Sequence, residues 1–399
     1  MTSQIDTPAN RPDAPASEGP SGPWPLVRWF ISAATLNVPQ AAGPVAFSLV
    51  ALSLTGDTSG GAAMILAMTL AQVVGAIPIT RFGRSLASAT FLRLLIAFRT
   101  LALGLIALCV AYEASFVWLI LIAALAGTVN GAAHGFLRSV LNQLAPASRL
   151  PRALGISATL NELTFVLAPV AASGLGTISP VIAVLALTVL GAIPAFLVPR
   201  TRSTAIVGVE HADGSVLSPS ILLWLMCAAA GGATVAAIEI GAVALALAFG
   251  YEPALAILFT VPLCLASVAG GMWVSVRNRM ATQRTVLAQL TVMTLGAFLA
   301  ALQLSILTTV IGAVLIGFVL APLGTYYSLI LDTLAPPRKR PEVFALLRTA
   351  NALGVIFASA VLTAFSLSIS LAAVTCTMIT VTSVVGIASI RTPARRRKV

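Results

Sequence analysis

Twelve stretches of about twenty or more mostly apolar residues, divided by short polar turns, limit what this chain can fold into more than anything else in it. They fall near 26–53, 61–80, 86–112, 115–142, 152–175 and 178–198, then near 219–248, 254–275, 285–304, 306–331, 342–365 and 367–390. A segment of that length crosses a bilayer as a helix, because in lipid each backbone N–H and C=O must find its partner inside the segment. Only 9% of the 399 residues are charged, against about 25% in soluble domains, so the chain cannot cover a water-facing surface. The predicted fold class is all-α integral membrane with twelve transmembrane helices. The predicted organisation is a disordered tail (1–25), a six-helix bundle (26–198), a linker (199–219), a second six-helix bundle (220–391) and a basic tail (392–399).

The two halves repeat one phrase. FLRSVLNQLAPASRLPRALGISATLNELTFV from Phe136 and YYSLILDTLAPPRKRPEVFALLRTANALGVI from Tyr326 align at an offset of 190. At that offset Leu144-Ala145-Pro146 falls on Leu334-Ala335-Pro336, Arg149 on Lys339, Pro151 on Pro341, Thr159 on Thr349 and Asn161 on Asn351; Gly127 falls on Gly317 upstream. Each copy is an apolar segment, a basic proline-containing turn and a second apolar segment. Proline suits such a turn because it lacks an N–H and presets φ for a first helical turn. A unit repeated at half the chain length predicts two similar bundles.

Charge fixes the expected orientation. Arg81 and Arg84 follow the second span, Arg149 and Arg152 the fourth, and Arg200 and Arg202 the sixth. Arg277, Arg279 and Arg284 follow the eighth, Arg338 to Arg340 the tenth, and Arg395 to Lys398 the last. The opposite loops carry Asp57, Glu113 and Glu252 and no Lys or Arg. By the positive-inside rule both termini are cytoplasmic, in a multi-pass protein of the cell (inner) membrane. The net charge of +11 is thus spent on topology, and no nucleic-acid partner is expected.

Six plus six spans with basic even-numbered loops resemble the major facilitator superfamily. That family carries a G-x-x-x-D-R-x-G-R-R-type loop after span two. Here Arg81, Gly83 and Arg84 remain, and Thr80 stands at the acidic position. The resemblance makes Thr80, Arg81, Gly83 and Arg84, with Arg348 across the halves, a cytoplasmic gate. Lacking its carboxylate, that gate is expected to close weakly and favour an inward-open state. In span five Ala168-Pro169-Val170-Ala171-Ala172 is similar to the antiporter element G-P-x-x-G-G with alanine for glycine, and Ala237-Ile238-Glu239 places an acid in span seven as small exporters often do. The drug-exporter or sugar-efflux-like branch is the one these features resemble.

Polar groups inside lipid are expensive, so each is a candidate. Glu239, Glu162 and His134 are the proton-coupling candidates; Glu239 alternatively sits wet at the outer headgroups, and Glu162 alternatively joins an ion pair. Asn37 and Gln40, beside Pro39 and Pro44 in span one, line the expected substrate path with Asn130, Arg138, Tyr326 and Tyr327. His134 and Arg138 share a helix face. Arg93 and Arg99 read mainly as snorkelling side chains.

Catalysis finds no support. Lys339 and Lys398 supply no Walker A loop, and two histidines make no HExxH pair. Cys109, Cys227, Cys264 and Cys376 lie in apolar runs without metal-ligand spacing. The sequence therefore predicts a non-enzymatic secondary transporter without cofactor or metal, expected to be a monomer. Its expected partners are the bilayer, protons and a small apolar or amphipathic substrate, with proton-coupled export favoured over uptake or facilitated diffusion, and over a non-transporting sensor or scaffold.

Overall fold

A computed structural model describes residues 23–56, 59–200 and 218–391. The predicted tails, most of the linker and Asp57 lie outside the described residues. Among those described, twelve helices are long and apolar enough to cross a membrane. They are α1 (Trp24–Thr55), α2 (Gly60–Ser85), α3 (Ser88–Ala111), α4 (Phe116–Leu144), α5 (Ala147–Gly176) and α6 (Pro180–Leu197), then α7 (Pro219–Ala248), α8 (Ile257–Arg277), α9 (Gln283–Leu302), α10 (Ile306–Leu334), α11 (Pro337–Ala364) and α12 (Leu367–Ser389). No strand occurs among the described residues. The face of the even-numbered loops is called the basic face below.

The helices form two six-helix bundles. In the first, α1 packs on α5, α6 and α2, while α3 packs on α4 and α6. In the second, α7 packs on α11 and α12, and α9 on α10 and α12. Lipid supplies no hydrophobic drive for helices to associate, so close backbone approach has to hold them. Glycine permits it. A Cβ on Gly75 would lie 2.2 Å from the carbonyl oxygen of Thr128, and one on Gly127 would lie 2.0 Å from that of Met68, so α2 and α4 meet almost backbone to backbone. The repeat does the same in the second bundle, where a Cβ on Gly270 would lie 2.2 Å from the Phe318 carbonyl oxygen and one on Gly317 as far from that of Leu263.

Pro39 and Pro44 do not interrupt α1, which runs as one helix through both. Pro39 instead serves as a packing surface, because a Cβ on Gly191 of α6 would meet its ring at 2.5 Å. The interruption occurs in α4, at Val129, between helical stretches Phe116–Thr128 and Asn130–Leu144. Asn130 and His134 project from the first turns of the second stretch.

The bundles meet through α5 against α8 and α10, and through α11 against α2 and α4. That exchange is what a pseudo-twofold axis requires. Two contacts lie on it: Arg138 donates from Nε to Ser328 Oγ at 2.8 Å, and Asn142 donates from Nδ2 to Asp332 Oδ1 at 2.6 Å. In each case the partners stand 190 positions apart, the offset of the sequence repeat.

Candidate functional site

A polar network crosses the middle of the first bundle. Arg99 of α3, 4% exposed, donates from Nη1 to the Leu36 carbonyl at 3.0 Å and to Asn130 Oδ1 at 3.2 Å. From Nη2 it donates to the Gly191 carbonyl at 3.1 Å. Leu36 lies one residue beyond Thr35, whose carbonyl Pro39 leaves without a helical donor. Asn130 Nδ2 donates to Gln72 Oε1 at 2.6 Å and to Gln40 Oε1 at 2.9 Å. His134 sets its ring between the Asn130 carbonyl and Asn37 Oδ1, each oxygen 2.9 Å from a ring nitrogen. Asn37 Nδ2 in turn donates to the Ala33 carbonyl at 3.0 Å.

One side chain joins this network from the other bundle. Arg348 of α11 donates from Nη2 to Gln40 Oε1 at 2.6 Å and to Asn37 Oδ1 at 3.3 Å. Asn37, Gln40, Asn130 and His134 are thus brought together, and Arg348 stands with them at mid-helix, apart from the α2 gate loop. Arg99 is a buried bonding centre where a snorkelling side chain was expected. Gln72 had no sequence signal beyond being polar in an apolar span; its importance depends on Gly75 and Gly127 letting α2 reach α4.

Two further carboxylates lie in the spanning helices. Glu162 of α5 and Glu239 of α7 lie within electrostatic range of each other, with Cys264 of α8 in range of both. Glu239 is exposed and Glu162 half-buried, so both reach accessible space. Among the described residues the ion pairs are Arg81 and Arg84 with Glu342, and Arg340 with Asp332; none includes either carboxylate.

The basic face is closed, contrary to the expectation of a weakened gate. Thr80 is buried and satisfied within its own helix, donating to the Ala76 carbonyl at 2.7 Å and that of Ile77 at 2.9 Å. The missing charge arrives from the second bundle: Glu342, 1% exposed at the start of α11, pairs with Arg84 and lies 3.7 Å from Arg81. Gly83 is needed there, since a Cβ would lie 2.2 Å from the Phe91 ring. Arg138 belongs to this joint. Its guanidinium bonds Ser328 and Asn142 and lies 5.0 Å over the Phe344 ring. Asn278 ties α8 to α5, donating to the Ser148 carbonyl and accepting from the Arg152 N–H, both at 3.0 Å. Glycine again sets the distance: a Cβ on Gly135 would lie 2.3 Å from the Pro341 carbonyl oxygen, and one on Gly155 would lie 2.8 Å from that of Gly271.

Tyr326 and Tyr327 lie in the core of the second bundle. Their rings pack on Trp224 at 5.1 and 6.1 Å, and Tyr326 lines a pocket with Trp273, Arg277, Gln289 and Thr325. Arg93 donates to the Val198 carbonyl at the end of α6.

Two six-helix bundles on a pseudo-twofold axis, with a polar centre in the lipid-spanning layer and a closed joint on one side, define a membrane transporter and not an enzyme. The chain belongs to the major facilitator superfamily, whose family model matches residues 29–359. No curated protein matches it in sequence. Among solved structures it is similar to a bacterial homologue of the iron transporter ferroportin in the outward-facing state, at 12% identity and a TM-score of 0.73, covering 93% of this chain and 99% of that one. It is also similar to the human organic anion transporter TETRAN, at 12% identity and 0.69, covering 90% and 97%. A third is the Escherichia coli fucose:proton symporter FucP, at 15% identity and 0.63, covering 92% and 98%. At these identities the likeness is one of fold.

Proposed function

We propose that this protein exports a small amphipathic molecule across the cell membrane by alternating access, driven by inward proton movement, with the basic face cytoplasmic. It works as a monomer, in the manner of the drug-exporter or sugar-efflux-like branch. The observation that carries this reading is the unpaired couple Glu162–Glu239. One carboxylate comes from each bundle, and no described cation bonds either of them. Two ionised carboxylates repel across the bundles, and a proton on either removes that repulsion. Protonation therefore biases how the bundles approach at that level, which is what coupling to a proton gradient requires. A chain that is 58% hydrophobic suits a substrate with an apolar body rather than a sugar, whose hydroxyls need many hydrogen-bonding partners.

The test is flux in liposomes carrying the purified protein, with a fluorescent amphipath inside and an acid exterior. The reading expects saturable efflux that collapses when the proton gradient is removed. In Glu239→Gln and Glu162→Gln, which keep hydrogen-bonding capacity and lose the titrating proton, gradient-driven efflux should vanish while substrate exchange persists. Efflux linear in concentration and equal to that of empty liposomes would sink transport; undiminished proton drive in both variants would remove the carboxylate couple.

A further inference from the structure

We propose that Arg348 is the recognition group for an anionic substrate, a carboxylate on an apolar body. The same guanidinium, when no anion is bound, cross-links the two bundles by donating to Asn37 and Gln40. This rests on the transporter reading above and names the substrate class of that transporter.

The first observation is charge. The central network holds two guanidinium groups, Arg99 and Arg348, and both donate to neutral carbonyl oxygens. None of the three ion pairs among the described residues includes either arginine. Charges taken out of water are normally paired, and one left unpaired in a spanning helix marks a functional position.

The second observation separates the two arginines. Arg99 spends both terminal nitrogens on partners contributed by α1, α4 and α6, all within its own bundle. It is 4% exposed and reads as a structural pin. Arg348 is less completely buried and bonds through Nη2 alone, leaving Nη1 uncommitted; its Nε, like that of Arg99, is buried without a partner. A guanidinium with Nε and a terminal nitrogen to offer presents the fork that matches a carboxylate, with charge-assisted bonds stronger than those to an amide oxygen.

The third observation is what Arg348 leaves behind. When it turns to an anion, Gln40 Oε1 still accepts from Asn130 Nδ2 at 2.9 Å, and Asn37 Oδ1 still accepts from His134 at 2.9 Å in the tautomer that carries its proton on Nε2. Neither acceptor is orphaned, so the exchange avoids the usual cost of stripping a buried polar group. The anion also removes the mid-helix bond that joins the bundles, so binding itself loosens them. Neither Glu162 nor Glu239 forms an ion pair with Arg348.

The test uses full-length protein in detergent, with naphthoate and its neutral carboxamide as one probe pair and decanoate and decanamide as another. The proposal expects each carboxylate to raise the melting temperature of wild type and to bind at least about tenfold more tightly than its carboxamide. Arg348→Gln should erase that preference while leaving the unliganded protein folded, and Arg348→Lys, which keeps charge and loses the fork, should weaken it. Arg99→Gln should keep the preference in whatever fraction folds. Naphthoate should also change the separation of spin labels at Ala147 and Pro337 in wild type and not in Arg348→Gln. Equal binding of acid and amide, absence of carboxylate binding to wild type, or an unchanged preference in Arg348→Gln overturns the proposal. Saturable flux of neutral amphipaths without acid preference sinks the anion site and leaves the transporter. Tight carboxylate binding with no flux does the reverse.

Discussion

Replacing Gly135 with alanine should open the basic face. An alanine Cβ there would lie 2.3 Å from the Pro341 carbonyl oxygen and 3.2 Å from the Ala345 nitrogen, where ordinary contact begins at 3.4 Å. Both obstacles are helix backbone and cannot turn aside, so α4 and α11 must part by about 1 Å or the closed state must be given up. Overpacking of this kind costs about 1–3 kcal/mol. The cost falls on the closed state alone, because only there do the two bundles touch at Gly135. The gain in helix propensity, up to about 1 kcal/mol, applies in both states and cancels. The closed population should therefore fall by about 5-fold to 150-fold relative to the open one. The assay is the distance distribution between nitroxides at Ala147 and Pro337, in a background without the four native cysteines. Gly127→Ala is the control: its Cβ would lie 2.0 Å from the Met68 oxygen, but both partners are in one bundle. It should lower the melting temperature and leave the distances alone. An unchanged distribution in Gly135→Ala, with only a Gly127-like loss of stability, would refute the reasoning.

Glu342→Gln should weaken the same closure, since Arg81 and Arg84 lose their anion; both are partly exposed and rehydrate, so the expected cost is about 1 kcal/mol, read as a roughly fivefold loss of the closed population. Thr80→Asp, in contrast, should destabilise the protein rather than tighten the gate, because Thr80 is fully buried and points at its own helix carbonyls; a rise in melting temperature would contradict this. Arg99→Met should lower the melting temperature by removing three buried bonds that hold α3 to α1, α4 and α6, an effect of about 2–4 kcal/mol in reversible unfolding.

The frame of this molecule was readable because lipid leaves few options. Helix count, repeat and loop charge each follow from one-dimensional patterns, and the 190-residue offset even identifies the pairs Arg138–Ser328 and Asn142–Asp332 that meet on the axis. The candidate site was readable in part, for a physical reason. A polar residue in an apolar span announces itself, but its partner is fixed by packing that leaves no local trace. Glu342 completes a gate whose arginines lie more than 250 positions earlier, and nothing around Arg84 points to it. Arg99 reads as a snorkelling side chain because nothing near it in sequence accepts its bonds; the oxygens that hold it come from α1, α4 and α6. Tyr326 and Tyr327 are polar-tipped residues in an apolar span, yet their rings pack against Trp224 in the core.

The central claim is that protonation of the Glu162–Glu239 couple shifts the balance between the two arrangements of the bundles. The direct measurement is the Ala147–Pro337 distance distribution between about pH 6 and about pH 8.5, a range centred on neutral titration, in wild type, in His134→Gln and in the double variant Glu162→Gln with Glu239→Gln. The account predicts a distribution that moves with pH in wild type and in His134→Gln, and that stays at its acid form in the double variant at every pH. A pH response surviving in the double variant, or none in wild type, would contradict it.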